Sequence, residues 1–316
     1  MTSPCDSPKG NPKGTFSGSR SLKLFYQSWY PQSAHCRLDC NGQLDGEGSG
    51  VKGVLAIVHG LGEHSGRYCQ VVEGLTKAGY AVFGFDNQGH GKSEGQRGHI
   101  DRWQDYRNNT QAFLEVVRRQ EPNAPLFLMG HSLGGLIVLD YVLRSTSSRQ
   151  FKSLNLEGLI LSVPLIQPAG GTVHNLRVIM ARLLSGLFPR FTVNMGLEKE
   201  ALSRDKVVTD TIAQDPLTHP YVTLRWGTET LDTIRWVKSH IDHLQLPVLL
   251  VHGEADPITK PAGTQTIFQK IQSADKTLKL YPDTYHEPHN DLNADTVVTD
   301  FINWLDSRTV SAPMNA

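Results

Sequence analysis

A serine between glycines is the first feature of the chain that could carry chemistry. Ser132 lies in the run Gly-His-Ser-Leu-Gly-Gly, directly after the apolar run PLFLM and before LGGLIVLDYVL. A strand, a tight Gly-x-Ser-x-Gly turn and a helix in this order form a nucleophile elbow, which raises the serine hydroxyl clear of a sheet. Gly130 and Gly134 fit this turn because a Cβ at either position would clash. The pattern predicts that Ser132 is a nucleophile.

A base and an orienting carboxylate must accompany such a serine. In hydrolases with this elbow, the order along the chain is Ser, then Asp or Glu, then His. Asp256 follows the apolar run VLLVHG in a turn-forming sequence, and we expect the neighbouring acid, Glu254, to be solvated. His286 follows the run TLKLYPDTY, with His289 shortly after it. We therefore predict a triad of Ser132, Asp256 and His286.

Acyl transfer also needs two N–H donors directed at the developing oxyanion. Leu133, the residue after the nucleophile, supplies one such amide, and Leu61 in the run His-Gly-Leu-Gly after VLAIV supplies the other. We expect local hydrogen bonds of Asp86, His90 and Ser93 to hold the loop 86–93 together. No catalytic role is assigned to the other histidines at these turns, which are His59, His90 and His131.

Short apolar runs alternate with amphipathic segments and must position these residues. The apolar runs are 54–58, 81–85, 125–129, 156–162, 248–252 and 277–281, and a further strand is expected over 22–30. Runs this short and this apolar are typical of buried parallel strands. The segments 68–78, 106–119 and 295–308 place their apolar residues on one side, as surface helices do. The alternation predicts an α/β fold with a mostly parallel, doubly wound sheet and helices on both of its faces.

One interval, 164–236, contains no strand-like run and is too long for a simple crossover. We interpret it as a helical cap inserted before the late strands, over the sheet edge where ligands of such folds bind. The predicted organisation is a flexible tail (1–21), a first core part (22–163) with a polar loop (31–52), the cap (164–236), a second core part (237–308) and a C-terminal tail (309–316).

The overall composition limits the partners of the protein. The 316 residues include 31 basic and 31 acidic side chains, so no charge imbalance favours nucleic acid. We find neither a secretory leader nor a run long enough to span a bilayer, and therefore expect a soluble, cytoplasmic protein. Cys36 and Cys40 lack a second ligand pair, so we expect no metal, and we expect the four cysteines to be free thiols.

Several motifs in one order resemble the monoacylglycerol lipase family, α/β-hydrolases with lysophospholipase-like members, over residues 14–308. They are HGLGEHSGRY (59–68), FDNQGHGKSEG (85–95), GHSLGG (130–135), LSRD (202–205), QDPL (214–217), GEAD (253–256) and YHEPH (285–289). The resemblance implies the triad Ser132, Asp256 and His286, with the oxyanion amides of Leu61 and Leu133. It also implies a glycerol end of the pocket lined by Glu63, Arg67 and His289. The loop 31–52 is longer than in the family, and Pro288 replaces an aliphatic residue.

These observations predict a serine esterase that hydrolyses monoacylglycerols to fatty acid and glycerol through an acyl-enzyme, without a cofactor. Because the base must be neutral, activity should fall as the pH drops through roughly 6 to 7. Lysophospholipase or other carboxylesterase activity is an alternative. Acidic residues of the cap leave an aminopeptidase or amidase open; they are Glu198, Glu200, Asp205 and Asp215. A hydrolase-like binding protein without turnover is a third alternative.

The cap sequence bears on the acyl half of the substrate and on membranes. Apolar residues recur there at helical spacing, with arginines between them; they are Val173, Leu176, Met180, Leu183, Leu184 and Leu187. Such a stripe could wall an acyl tunnel or dip into a membrane surface. It could also serve only to pack the cap on the core. Two interpretations stay open: peripheral membrane contact through the cap, and packing on the core alone.

Overall fold

A central eight-stranded sheet organises the protein. The computed structural model describes residues 12–32, 50–146, 148–169, 184–196 and 198–309. The strands are β1 (Lys13–Ser17), β2 (Lys23–Trp29), β3 (Val54–Val58), β4 (Ala81–Phe85), β5 (Leu126–His131), β6 (Leu156–Ser162), β7 (Thr192–Asn194), β8 (Tyr221–Thr223), β9 (Val248–Gly253) and β10 (Lys276–Tyr281). The helices are α1 (Cys69–Lys77), α2 (Gln104–Gln120), α3 (Leu133–Ser145), α4 (Arg149–Lys152), α5 (Lys206–Gln214), α6 (Leu224–His240), α7 (Pro261–Lys270) and α8 (Ala294–Thr309).

The strand order of the large sheet is β1-β2-β4-β3-β5-β6-β9-β10. From β4 to β10 every neighbouring pair is parallel, whereas β2 pairs antiparallel with both β1 and β4. Parallel strands end at the same edge, so the loops after β3, β5, β9 and β10 meet there. This is the mostly parallel α/β-hydrolase architecture that the sequence predicts.

Two apolar cores lie on opposite faces of the sheet. Successive residues of β3 alternate between them: Val54 and Ala56 belong to one core, Leu55 and Ile57 to the other. The first core includes residues of α2, α3 and α6, and the second includes residues of α1 and α8. Burial on both faces explains why the strand sequences are continuously apolar rather than alternating.

The segment between β6 and β9 is inserted over the carboxyl edge. Its described residues contain α5, the antiparallel strand pair β7 and β8, and α6. Each of these two helices begins at a capping side chain. Asp205 accepts a hydrogen bond from the Val207 amide at 2.8 Å, and Thr223 accepts one from the Trp226 amide at 3.3 Å. This strand pair corrects the expectation that 164–236 lacks strands. Strands β7 and β8 have only three residues each, which is too short to give a sequence signal.

Other sequence-based boundaries need correction as well. Residues 13–17 form an edge strand, so the expected tail 1–21 is wrong for this stretch. Helix α6 continues across the expected cap boundary at 236, and α8 includes Thr309. Cys69 is disulfide-bonded, which corrects the expected free thiol at this position. Residues 1–11, 33–49, 170–183 and 310–316 lie outside the described chain, with most of the loop 31–52 and the cap residues Val173, Leu176, Met180 and Leu183.

A membrane-spanning helix must be both long and apolar. None of the helices in the described ranges combines the two to the degree that crossing a bilayer requires.

Candidate active site

The turn between β5 and α3 holds Ser132 in a conformation that side chains rarely adopt. Its φ is 52° and its ψ is −114°. The glycines make the turn sterically feasible. A Cβ on Gly130 would lie 2.4 Å from the Gly134 carbonyl oxygen, and one on Gly134 would lie 2.0 Å from that of Val58. Strained backbone of this kind persists where the surroundings fix it, and it raises the serine hydroxyl above the sheet.

Ser132, His286 and Asp256 meet in one hydrogen-bonded chain at the carboxyl edge. The Ser132 hydroxyl lies 2.9 Å from His286 Nε2, and His286 Nδ1 lies 2.8 Å from Asp256 Oδ2. All three residues are buried. Glu254, the alternative acid, is exposed at the end of β9. The geometry allows the hydroxyl proton to pass to an imidazole whose other nitrogen donates to a carboxylate.

The carboxylate of Asp256 is fixed by groups of its own loop. Oδ1 accepts the amides of Ile258 at 2.7 Å and Thr259 at 3.1 Å, and Oδ2 accepts the Thr259 hydroxyl at 2.8 Å. His252 Nε2 lies 3.2 Å from the same Oδ2. Burial opposes ionisation, but the charge of His286 and the hydrogen bonds from His252 and His286 hold the pKa of Asp256 well below its usual range. The sequence analysis overlooked Thr259 and His252.

His286 is correspondingly a stronger base than a free histidine. Burial acts to lower its pKa, but the charge of Asp256, the hydrogen bond to Asp256 and the nearby Glu287 carboxylate raise it. A raised pKa means that the imidazole becomes protonated at a higher pH than an ordinary histidine does.

The two candidate oxyanion amides come from the start of α3 and from the loop after β3. Leu133 is the first residue of α3, where backbone N–H groups have no intrahelical partner. Leu61 lies in the loop after β3. Neither amide donates a hydrogen bond to another residue in the described parts of the chain. Gly62 follows with a φ of +73°, and its carbonyl accepts the His219 amide of the cap at 2.9 Å.

A buried polar network adjoins the triad and contains the three residues that the resemblance assigned to the glycerol end. Glu63 Oε1 accepts the Gly60 amide at 2.5 Å and the Tyr68 hydroxyl at 2.9 Å. Arg67 Nη1 lies 3.5 Å from Glu63 Oε2. His289 is fully buried and stacks on Tyr68 with ring centroids 4.9 Å apart. Burial lowers the pKa of His289 to about 4, so its ring is neutral.

Glu287 belongs to the same network, although no motif singled it out. Its Oε2 accepts hydrogen bonds from Arg67 Nη2 at 2.6 Å and from Asn290 Nδ2 at 2.9 Å. The signal that could have revealed it is an acidic residue between two histidines, directly after the predicted base.

The remaining histidines near the edge have structural partners. His59 Nε2 accepts the Asn87 amide at 2.8 Å, and burial lowers the pKa of His59 to about 4. The prediction of local hydrogen bonds over 86–93 is confirmed. The Ser93 hydroxyl donates to the Asp86 carbonyl at 2.5 Å, and His90 Nδ1 lies 3.0 Å from the Gln88 carbonyl. Among the described side chains, no group of His, Cys, Asp and Glu is arranged to hold a metal ion.

The cap exposes apolar side chains to solvent. Leu187, Phe188 and Phe191 are 74%, 60% and 62% exposed. The acids of the cap are committed elsewhere or face solvent: Asp205 caps α5, Asp215 Oδ2 lies 2.8 Å from His64 Nε2, and Glu198 and Glu200 are exposed.

Comparison with known proteins places this geometry in context. A family model described as serine aminopeptidase S33 matches residues 49–293. A monoglyceride lipase of Rattus norvegicus is 31% identical over 83% of this chain and 84% of its own length. An uncharacterized abhydrolase domain-containing protein of Dictyostelium discoideum is 34% identical over 82% of this chain, which spans only 27% of that protein. The crystal structure of a soluble variant of monoglyceride lipase from Saccharomyces cerevisiae, in complex with a substrate analog, is 25% identical with a TM-score of 0.78 and covers 98% of both chains.

Proposed function

Because the chain belongs to the monoacylglycerol lipase family of α/β-hydrolases, we propose that it hydrolyses monoacylglycerols to a fatty acid and glycerol. Both the rat relative and the yeast structural neighbour are named monoglyceride lipases. The observation that carries the proposal is the position of the His286 ring. It lies within hydrogen-bonding distance of both the Ser132 hydroxyl and the Asp256 carboxylate.

In the first half of the reaction, Ser132 attacks the ester carbonyl. His286 accepts the proton of the hydroxyl as the Oγ–C bond forms, and the imidazolium is stabilised by Asp256. The carbonyl oxygen becomes an oxyanion that accepts hydrogen bonds from the Leu61 and Leu133 amides. His286 then donates the proton to the departing glycerol oxygen as the C–O bond breaks, which leaves an acyl-enzyme on Ser132.

In the second half, water replaces the alcohol. His286 accepts a proton from the water as its oxygen attacks the acyl carbonyl, and the same two amides hold the new oxyanion. Collapse releases the fatty acid and returns the proton to Ser132. Every proton transfer in this scheme passes through His286, which acts as a base in one step and as an acid in the next.

We assign Glu63, Arg67 and His289 to the alcohol end of the site. Glu63 lies in the same loop as Leu61. A Cβ added to Gly60 would lie 3.3 Å from the Ser132 Cβ and 2.8 Å from Glu63 Oε1. Gly60 therefore lies between the Glu63 carboxyl group and the Ser132 side chain and is close to both. His289, neutral and packed against Tyr68, forms a wall of the same region.

The cap is proposed to bring the enzyme to its lipid substrate. Leu187, Phe188 and Phe191 form an apolar surface with Arg190 between them, whose side chain is exposed as well. Exposed leucine and phenylalanine beside arginine favour binding at the interface between lipid headgroups and acyl chains. Peripheral contact of this kind would let a monoacylglycerol pass from a bilayer to Ser132.

The matching family is described as serine aminopeptidase S33, so aminopeptidase activity is the alternative. Such an enzyme needs an acid that holds the free amine of its substrate. The cap acids do not favour it. Asp205 and Asp215 are already engaged by a helix end and by His64, and Glu198 and Glu200 face solvent. Ester hydrolysis therefore has the stronger support.

A hydrolysis panel tests the proposal. The purified protein is assayed with mono-, di- and triacylglycerols of one acyl chain, a lysophospholipid, p-nitrophenyl butyrate and an aminoacyl-arylamide. We expect the largest kcat/KM among the natural lipids for the monoacylglycerol and no release of arylamine. A preference for the lysophospholipid or the arylamide would overturn it.

A further inference from the structure

Arg67 lies between two buried carboxylates but is hydrogen-bonded to only one of them. Its Nη2 donates to Glu287 Oε2 at 2.6 Å, and Asn290 supports the same oxygen at 2.9 Å. Glu63 Oε2 is 3.5 Å from Nη1 and accepts no hydrogen bond from the described residues. The guanidinium is thus committed to Glu287, which comes directly after His286.

The charges within this cluster do not balance. Two carboxylates and one guanidinium are buried together, and a buried charge without a partner is costly. Burial raises the pKa of Glu63, the nearby Glu287 charge raises it further, and Arg67 only partly opposes this. Burial also acts on Glu287, but Arg67 and the hydrogen bond from Asn290 lower its pKa. The position of Arg67 and these two shifts therefore favour the negative charge on Glu287 and the proton on Glu63.

The two oxygens of Glu63 differ in their hydrogen-bonding partners. Oε1 accepts from the Gly60 amide and from Tyr68, whereas Oε2 is buried without a hydrogen-bonding partner in the described chain. A carboxylic acid can donate through its O–H, which an ionised carboxylate cannot. Because the group is adjacent to Ser132, a hydroxyl of the leaving alcohol is a suitable acceptor.

We propose that Glu287 is a positioning residue that draws Arg67 away from Glu63, so that Glu63 donates a hydrogen bond to a hydroxyl of the substrate's head group. The inference rests on the proposed function and deepens it, since it assigns the preference for a polyol alcohol to a residue that does not itself touch the substrate. Without the charge of Glu287, Arg67 would turn to Glu63, and Glu63 would ionise and stop donating.

The first test is Glu287→Gln, which keeps an oxygen for Arg67 and Asn290 but removes the charge. The measurement is the ratio of kcat/KM for a monoacylglycerol to that for p-nitrophenyl butyrate, which has no hydroxyl in its leaving group. We expect the ratio to fall about tenfold, mainly through KM, as for one lost hydrogen bond. Both values come from one preparation, so a smaller active fraction cancels. An unchanged ratio would overturn the inference.

A double-mutant comparison separates this role from a structural one. The amide introduced by Glu63→Gln cannot ionise and still carries N–H donors. In that background, Glu287→Gln should therefore change the ratio less than about twofold. Equal losses in both backgrounds would mean that Glu287 acts by structure alone.

Asn290→Ala is the matched control for the loss of charge. It removes a hydrogen bond from the Glu287 carboxylate without changing the charge of that group. Its effect on the ratio should be clearly smaller than that of Glu287→Gln. An equal effect would mean that the hydrogen bond, and not the charge of Glu287, sets the preference, and would overturn the inference.

The outcomes distinguish the inference from the proposed function. If the wild-type protein cleaves neither the monoacylglycerol nor p-nitrophenyl butyrate, the proposed function itself is overturned. A wild-type protein that cleaves both, with an unchanged ratio in Glu287→Gln, would leave the esterase intact and overturn only the role of Glu287. Cleavage of p-nitrophenyl butyrate without cleavage of the monoacylglycerol would overturn the head-group role as well.

Discussion

The backbone amide of His219 donates a hydrogen bond to the carbonyl of Gly62 at 2.9 Å, so the cap rests directly on the loop that carries Leu61. Gly62 has a φ of +73°, and a Cβ at this position would lie 2.2 Å from the His219 carbonyl oxygen. The contact leaves no room for a side chain. A side chain at position 62 would therefore displace either the cap or the oxyanion loop.

Replacing Gly62 with alanine should misplace the Leu61 amide. We expect kcat for ester hydrolysis to fall by about 100-fold, as when an oxyanion donor is lost. The matched control is Gly227→Ala in α6, where an added Cβ meets nothing within 4 Å. Steady-state kinetics of both variants make the comparison, and similar kcat values in the two would count against Leu61 as an oxyanion donor.

The hydroxyl of Thr259 should matter for catalysis because it donates to Asp256 Oδ2, the same oxygen that His286 contacts. Thr259→Val removes this donor while keeping the shape, and we expect kcat/KM to fall about tenfold. Thr259→Ser keeps the hydroxyl and should recover most of the loss. If valine and serine behave alike, the hydrogen bond has no catalytic role.

The pH dependence should follow the raised pKa of His286. A base with a raised pKa loses its neutral form at a higher pH, so the acid limb of kcat/KM should have its midpoint above the ordinary histidine value of about 6.5. The expected midpoint therefore lies above the middle of the range of roughly pH 6 to 7 that the sequence predicts for the loss of activity. Asp256→Asn should lower the rate and move the limb to lower pH, because the main charge that raises the pKa is gone. A wild-type midpoint below the ordinary value would contradict the assignment of His286 as the base beside Asp256.

Membrane contact should depend on the apolar surface of the cap. Leu187→Ser combined with Phe188→Ser should weaken binding to phosphatidylcholine–phosphatidylserine liposomes by at least about tenfold, given the transfer free energy of two large apolar side chains. Leu292→Ser is the control, since Leu292 is 67% exposed but lies outside the cap. Liposome flotation measures all three proteins. Equal flotation of the double variant and the wild type would exclude this surface as the membrane contact.

The sequence was sufficient wherever one physical requirement dominated a segment. A strand buried on both faces must be apolar throughout, and β3 and β4 have the bounds that their apolar runs predicted. The elbow was recognisable because so tight a turn excludes side chains at Gly130 and Gly134. Parallel topology then brings the ends of β5, β9 and β10 to one edge, which is why Ser132, Asp256 and His286 could be grouped before any coordinates.

Other features depend on contacts that no single segment encodes. Strand β1 is polar and half-exposed, and it forms only because it pairs with the edge of β2. Strands β7 and β8 pair although they are far apart in sequence. The partnership of Arg67 with Glu287 joins residues 220 positions apart, and its preference over Glu63 depends on fractions of an ångström. Sequence alone could name Arg67 but not its partner.

The most direct test of the account is the rate of fatty acid release from a monoacylglycerol by the wild type and by Ser132→Ala, each shown to be folded by thermal unfolding. We predict that the wild type turns over and reacts stoichiometrically with a fluorophosphonate probe. Ser132→Ala should lose the labelling and at least about 1,000-fold of kcat. Fatty acid release by Ser132→Ala at the wild-type rate would contradict the claim that Ser132, activated by His286, is the nucleophile.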